Sequence, residues 1–349
     1  MNRITRNKRF LTDLFSGPFR GHAIIADPEG TPNPGTGDVI TTDRPMSEWI
    51  DWELRVYESK LARTEAFDDD AVPYARAWTG TEIFAVAMGC TPHVYEENMP
   101  PAARPLVFTA AEADRLPEPK LAGPVFDRVF DYIRRLRVRI GPAVPLSIPD
   151  IQSPFDIAAL VWNKQDMYTA IYDDPDAVKR LVAKCHRLLK AFLVEFGRSF
   201  GEVNYCHCPY AWAPPELGCW LSEDEAGAMS VAMFDEFCLP TLVDLSESFG
   251  GLFVHCCATA DHQYGSFLRI PNLRGLNRAF QSPGPRPAVD AFAGRTVLMN
   301  AWMDEPTMVS ILDMAHPDSR FLFNMPAMAL EEQKPIYERL RKRCPRITR

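Results

Sequence analysis

Apolar positions along the 349 residues fall into two alternating kinds of run. Short stretches rich in β-branched and aromatic residues are followed by longer stretches in which apolar residues return every three or four positions. The short runs predict strands over 22–26, 72–78, 144–148, 203–208, Leu252–Cys256, 275–279, 296–300 and 320–324. Strands that alternate with helices imply a parallel sheet covered by helices, and eight of them favour a closed (β/α)8 barrel over an open sheet. The fold class expected is therefore α/β, a TIM barrel carrying an N-terminal elaboration. Residues 1–70 are read as an extension packed on the barrel and 71–349 as the barrel domain.

Two helices are well marked. Asp174 and Pro175 supply a cap and a first-turn proline. Behind them Val178, Leu181, Val182, Cys185, Leu188, Leu189, Phe192 and Phe196 recur at helical spacing. Ser230 caps the second helix, which carries Phe234 and Phe237 inward and is expected to end near Pro240. Cys185 and Cys238 fall on these helices as core residues. Residues 27–43 and 100–119, rich in Gly, Pro, Thr or Asp, read as loops, as does the Trp- and Pro-containing stretch 212–224. No internal repeat is visible.

Composition narrows the class. The chain is 46% apolar and 24% charged, an ordinary globular balance. Its formal net charge is −8, and the basic stretches 134–139 and 339–349 form no dominant stripe, which argues against a nucleic-acid partner. Nine cysteines at irregular spacing do not make an extracellular disulfide framework. The basic start, 1–10, is not followed by an apolar segment of signal-peptide type, and no apolar run is long enough to span a membrane. These features predict a cytoplasmic protein with free thiols and no membrane association.

The most informative chemistry lies at one strand end. Leu252, Phe253 and Val254 lead into His255, Cys256 and Cys257. Strand side chains alternate, so His255 and Cys257 share a face and Cys256 points the other way. In α/β barrels the C-terminal strand ends carry the active site. An imidazole and a thiolate there are two of the three protein ligands that a catalytic zinc takes; a pair of half-buried polar residues without metal is the alternative. In the run Asn204, Tyr205, Cys206, His207, Cys208, the same alternation puts Tyr205 and His207 together. His207, Tyr205 and Asp224 are candidate acid–base or orienting groups. Polar residues after other strands, Asp150, Gln152, Asn300, Trp302 and Asp304, are candidate contacts for a small-molecule substrate. There is no phosphate loop, dinucleotide fingerprint, two-histidine zinc helix or nucleophile elbow.

The order of these pieces resembles the uroporphyrinogen decarboxylase superfamily, from about Ala71 to Leu340 and best over 149–304. Asp150, Ile151, Gln152, Ser153 and Pro154 are similar to its D-x-x-G-P segment, with Ser153 in place of glycine. Tyr172, Asp173, Asp174, Pro175 and Val178 resemble the opening of a family helix. Asp224, followed by Ser230, Phe234, Glu236, Phe237 and Pro240, resembles another family segment. His255 and Cys257 occupy the family's H-x-C strand end, with Ala258 where glycine is usual.

The resemblance implies one of two chemistries. One is cofactor-free decarboxylation of a tetrapyrrole, and the other is methyl transfer between a corrinoid and a thiol activated by zinc. The decarboxylases carry an arginine-bearing R-Q-A-G-R segment near the N-terminus. Residues 1–80 have none, and Arg20 and Arg76 stand alone. A polyanionic tetrapyrrole needs clustered cations, so the methyltransferase-like branch fits better. That branch implies zinc or another divalent metal held by His255 and Cys257, and a corrinoid carried on a partner protein. Its late cysteine is missing, because Asn324, Met325, Pro326 and Ala327 stand near the eighth strand end and Cys344 lies well beyond. A third ligand is expected from a carboxylate or from His207, with His207 and then Asp304 as first choices. Decarboxylation of uroporphyrinogen or a related acid, and non-catalytic binding of a corrinoid or tetrapyrrole, remain as alternatives. A homodimer is compatible with all three.

Overall fold

The structure is a computed structural model describing residues 2–17, 21–95, 101–278, 280, 282–301 and 303–346; Arg20, Ala279 and Trp302 lie outside them. Parallel strands dominate. Gly21–Ala26, Arg320–Met325, Val297–Asn300, Leu273–Arg278, Leu252–Cys256 and Cys219–Ser222 form one six-stranded arc in that order. Ala75–Arg76, Leu146–Ser147 and Val203–Asn204 form a second arc of three. The strand Gly21–Ala26, within the span read as an N-terminal extension, is thus a member of the larger sheet.

Hydrogen bonds join the arcs at both seams. At one, Ser222 N–H donates to the Ile151 carbonyl at 2.9 Å and Ser153 N–H donates to the Ser222 carbonyl at 2.7 Å. At the other, two carboxylates take the place of a neighbouring strand. Asp70 Oδ2 accepts from Ile24 N–H at 2.8 Å and Asp69 Oδ2 from Ala26 N–H at 3.0 Å. Asp70 is fully buried and also pairs with Arg341 and Arg346, each at 2.6 Å. This is the α/β barrel architecture expected, with ladder pairing confined to the two arcs.

The strand ends differ from expectation in the smaller arc. Strands read as 72–78, 144–148 and 203–208 pair over only two residues each. An additional strand, Cys219–Ser222, lies inside the stretch read as a loop. It is four residues long and follows a Pro-rich turn, so its apolar run is too brief to stand out. The 100–119 segment also holds more than loop. Ala102–Arg104 pairs antiparallel with Thr91–His93, and Thr109 and Glu112 form a capping box on the helix Ala110–Arg115.

The long helix Pro175–Phe200 follows its sequence signals. Asp174 caps it, and all eight predicted apolar positions are buried. Ser230 caps Val231–Phe237 as expected, and that helix ends near Pro240, also as expected. A second helix, Leu239–Phe249, begins there with Pro240 in its first turn, where the missing N–H has no intrahelical role. Among the described residues no helix is long and apolar enough to cross a membrane.

Candidate active site

Adjacent parallel strands bring Ser222, His255 and Asn277 into register at their C-terminal ends. His255 Nδ1 lies 2.5 Å from Asn277 Oδ1. The Asn277 amide donates to the Met299 carbonyl, also at 2.5 Å, which turns its oxygen toward His255. An amide oxygen only accepts, so this network assigns the imidazole proton to Nδ1 and leaves the Nε2 lone pair facing the barrel mouth. Nε2 is 2.7 Å from Cys257 Sγ. Cys256 turns away, fully buried, with its thiol 3.7 Å from the Ala258 carbonyl.

Asp224 completes the group. Its backbone N–H donates to Asp156 Oδ2 at 2.7 Å, and its own Oδ1 accepts from Cys257 N–H at 2.5 Å. Ligand atoms of Asp224, His255 and Cys257 lie within 4.8 Å of one another. One imidazole nitrogen, one thiol and one carboxylate, converging on the mouth with Cys257 exposed, are a donor set that suits a divalent ion with an open position. Burial, with the Asp224 and Asp150 carboxylates adding to it, pushes the Cys257 thiol up to about 11. Burial also raises Asp224, against the pull of His255. A cation would relieve both, because it favours the ionised forms.

A second group adjoins the first. His207 has a fully buried side chain, with Nδ1 3.4 Å from Asp150 Oδ1 but not aligned for a hydrogen bond. Burial pushes its imidazole down to about 3, against the pull of Asp150, so it is neutral at pH 7. Asp150 also accepts from the Gln152 amide at 3.0 Å and lies 3.6 Å from the Arg76 guanidinium. His207 and Cys208 line a cavity of about 330 Å3, and the electrostatic influence of His255 on His207 and of Cys257 on Cys208 ties it to the first group. Gln152 and Asp224 line a smaller cavity, of about 150 Å3, with Asp156, Lys164 and Glu225.

Other expected residues are placed apart. Tyr205 packs among Phe196 and Phe249, with its hydroxyl 3.3 Å from the Leu193 carbonyl, behind the barrel wall. The ladder stops at Asn204, so strand alternation no longer links Tyr205 to His207. Asp304 caps the helix Glu305–Asp313 through Thr307 N–H, and the carboxylate that lies beside His255 and Cys257 is that of Asp224. Asn300 is buried at a strand end, its amide 3.2 Å from the Leu298 carbonyl. Trp302 lies outside the described residues.

Sequence reasoning did not single out Asn277, Lys60 or Asp156. Asn277 had a readable signal, a polar residue beside Arg278 near the end of the predicted strand 275–279. Lys60 had none, because its helix, Met46–Ala66, was not read.

Residues 57–202 match the family described as Uroporphyrinogen decarboxylase (URO-D). The match takes in the Asp150–Pro154 and Asp174–Val178 motifs and stops short of Asp224 and His255. A solved structure titled methyltransferase from Methanosarcina mazei is similar at 14% identity and a TM-score of 0.65, covering 96% of this chain and 98% of its own. That likeness extends over nearly the whole chain and concerns the fold. No curated protein matches the chain.

Proposed function

We propose that this chain, a uroporphyrinogen decarboxylase-superfamily barrel, is a metal-assisted enzyme of methyl transfer, linked to a corrinoid on a partner protein. The observation that carries the reading is the convergence of Asp224, His255 and Cys257 at the strand ends. The methyltransferase title of the structural neighbour agrees with it. His255 through Nε2, Cys257 through its sulfur and Asp224 through a carboxylate oxygen would hold the ion. When bound, a divalent metal would lower the pKa of an acceptor thiol and so supply the nucleophile. Asn277 orients His255, and Asp156 fixes the backbone from which Asp224 projects. Neutral His207 would position the acceptor by a hydrogen bond.

The test is metal content with paired variants. Purified protein is expected to carry about one equivalent of zinc or a similar ion. Cys257→Ala should lose most of it, and Cys256→Ala should keep it, since neighbouring strand residues face opposite ways. Protein that is metal-free after zinc loading would refute the reading. A second reading, decarboxylation without a cofactor, is favoured by Arg76 and neutral His207 lining one cavity. Release of CO2 from a carboxylic acid, without methyl transfer, would support it.

A further inference from the structure

The cavity beside the metal-type group is lined by residues whose buried polar atoms lack hydrogen-bond partners. Among the described residues, Arg76 Nε, Trp78 Nε1 and both ring nitrogens of His207 are buried without a hydrogen-bond partner. Buried polar groups left unpaired are destabilising, and neutral His207 offers one donor beside those of Arg76 and Trp78, so a ligand that supplies acceptors is favoured there. The wall between them is aromatic. Trp52 and Trp78 meet edge to face at 5.5 Å, and the Trp52 indole N–H is already satisfied by the Thr31 carbonyl at 3.0 Å. Lys60 stands at the opposite wall, its ammonium 3.2 Å from the Tyr210 ring centre.

We propose that this cavity binds a small planar carboxylate, its carboxyl on Arg76, Trp78 and His207 and its ring against Trp52 and Trp78. The inference names the substrate class for the site proposed above and rests on that reading of the mouth. Charge selects the anion. Two cations, Lys60 and Arg76, line the space, and the Arg76 guanidinium lies 3.6 Å from Asp150 and 4.9 Å from the Trp78 ring centre. Glu53 faces the same space, but it is committed to the Arg76 backbone N–H at 2.6 Å. Lys60 answers Glu53 and the nearby Asp27; burial lowers it to about 8, which leaves it protonated at neutral pH. A cationic ligand would find two of the aromatic faces already held by cations, Tyr210 by Lys60 and Trp78 by Arg76. Size selects the ring count. About 330 Å3 is at the small end of ligand cavities and suits one or two rings.

The experiment is a tryptophan-fluorescence and calorimetric titration of the full chain with benzoate, benzamide and phenyltrimethylammonium. Benzoate is expected to bind saturably, and about ten-fold or more tighter than either control. Arg76→Gln should weaken benzoate by about ten-fold or more, while Trp78→Phe should weaken it less and reduce the fluorescence change. Circular dichroism checks that both variants fold, and the three-ligand comparison on the unaltered chain decides even if they do not. Benzamide binding as well as benzoate, phenyltrimethylammonium binding better, or no benzoate binding would each overturn the proposal. Repeating the titration with Cys257→Ala separates it from the metal reading. Benzoate affinity should survive there although zinc is lost, so either proposal can fail alone.

Discussion

Asn277 decides which nitrogen of His255 faces the mouth, and the effect is testable apart from turnover. Partners behind a metal-binding histidine fix its tautomer, and their loss typically costs about 10–100-fold in metal affinity. Asn277→Ala is therefore expected to weaken zinc binding by roughly that factor, read by competition with a chelator of known affinity. Asn277→Asp keeps an acceptor toward Nδ1 and should retain most of the affinity. Equal zinc binding by all three proteins would show that Asn277 does not orient the ring. Strand alternation placed His255 with Cys257 and against Cys256 because the ladder is intact through Cys256. The same argument failed for Tyr205 and His207, where the ladder ends one residue before Tyr205.

The helices show how far local signals reach. Asp174 ends one helix, its N–H donating to the Ala170 carbonyl at 2.8 Å, and starts the next, its side chain accepting from Ala177 N–H at 3.3 Å. Asp174→Ala removes only the second bond. The expected loss is about 1 kcal/mol, seen as a lower urea midpoint with an unchanged slope. An unchanged midpoint would mean that packing of Phe192 and Phe196 carries the helix start without its cap. Pro240, near the end of one helix and in the first turn of the next, acts for a reason that is also local. Proline stops a helix from its interior but opens one from its first turn, and the pattern alone does not say which turn it occupies.

The closure of the two arcs depends on buried carboxylates, and this gives stability a pH dependence. Burial pushes Asp69 up to about 7; the backbone N–H groups of Ala26 and Ala71 oppose the rise, and neighbouring Asp70 adds to it. The unfolded value is about 3.9, so between about pH 4 and about pH 7 the folded chain holds a proton that the unfolded chain has released. Stability from this group therefore falls as pH rises through that window. The denaturation midpoint should drop between about pH 4 and about pH 7, and Asp69→Asn, which mimics the protonated form, should flatten the drop. An identical slope in the variant would assign the dependence to other groups, such as Glu53, which burial also raises to about 7.

The sequence by itself determined the α/β class, most of the strand positions, the capped helices and the shared face of His255 and Cys257. Each of these depends on side-chain period or on contacts within a few residues. Tertiary structure alone decided that Asp224, 31 residues before His255 in the chain, lies beside His255 and Cys257. It also decided that Asn277 backs the imidazole, and that Lys60, from an unread helix, reaches the cavity of Arg76 and His207. Those relations are set by strand register and by the meeting of the two arcs. They join residues far apart in the chain, which no local pattern records.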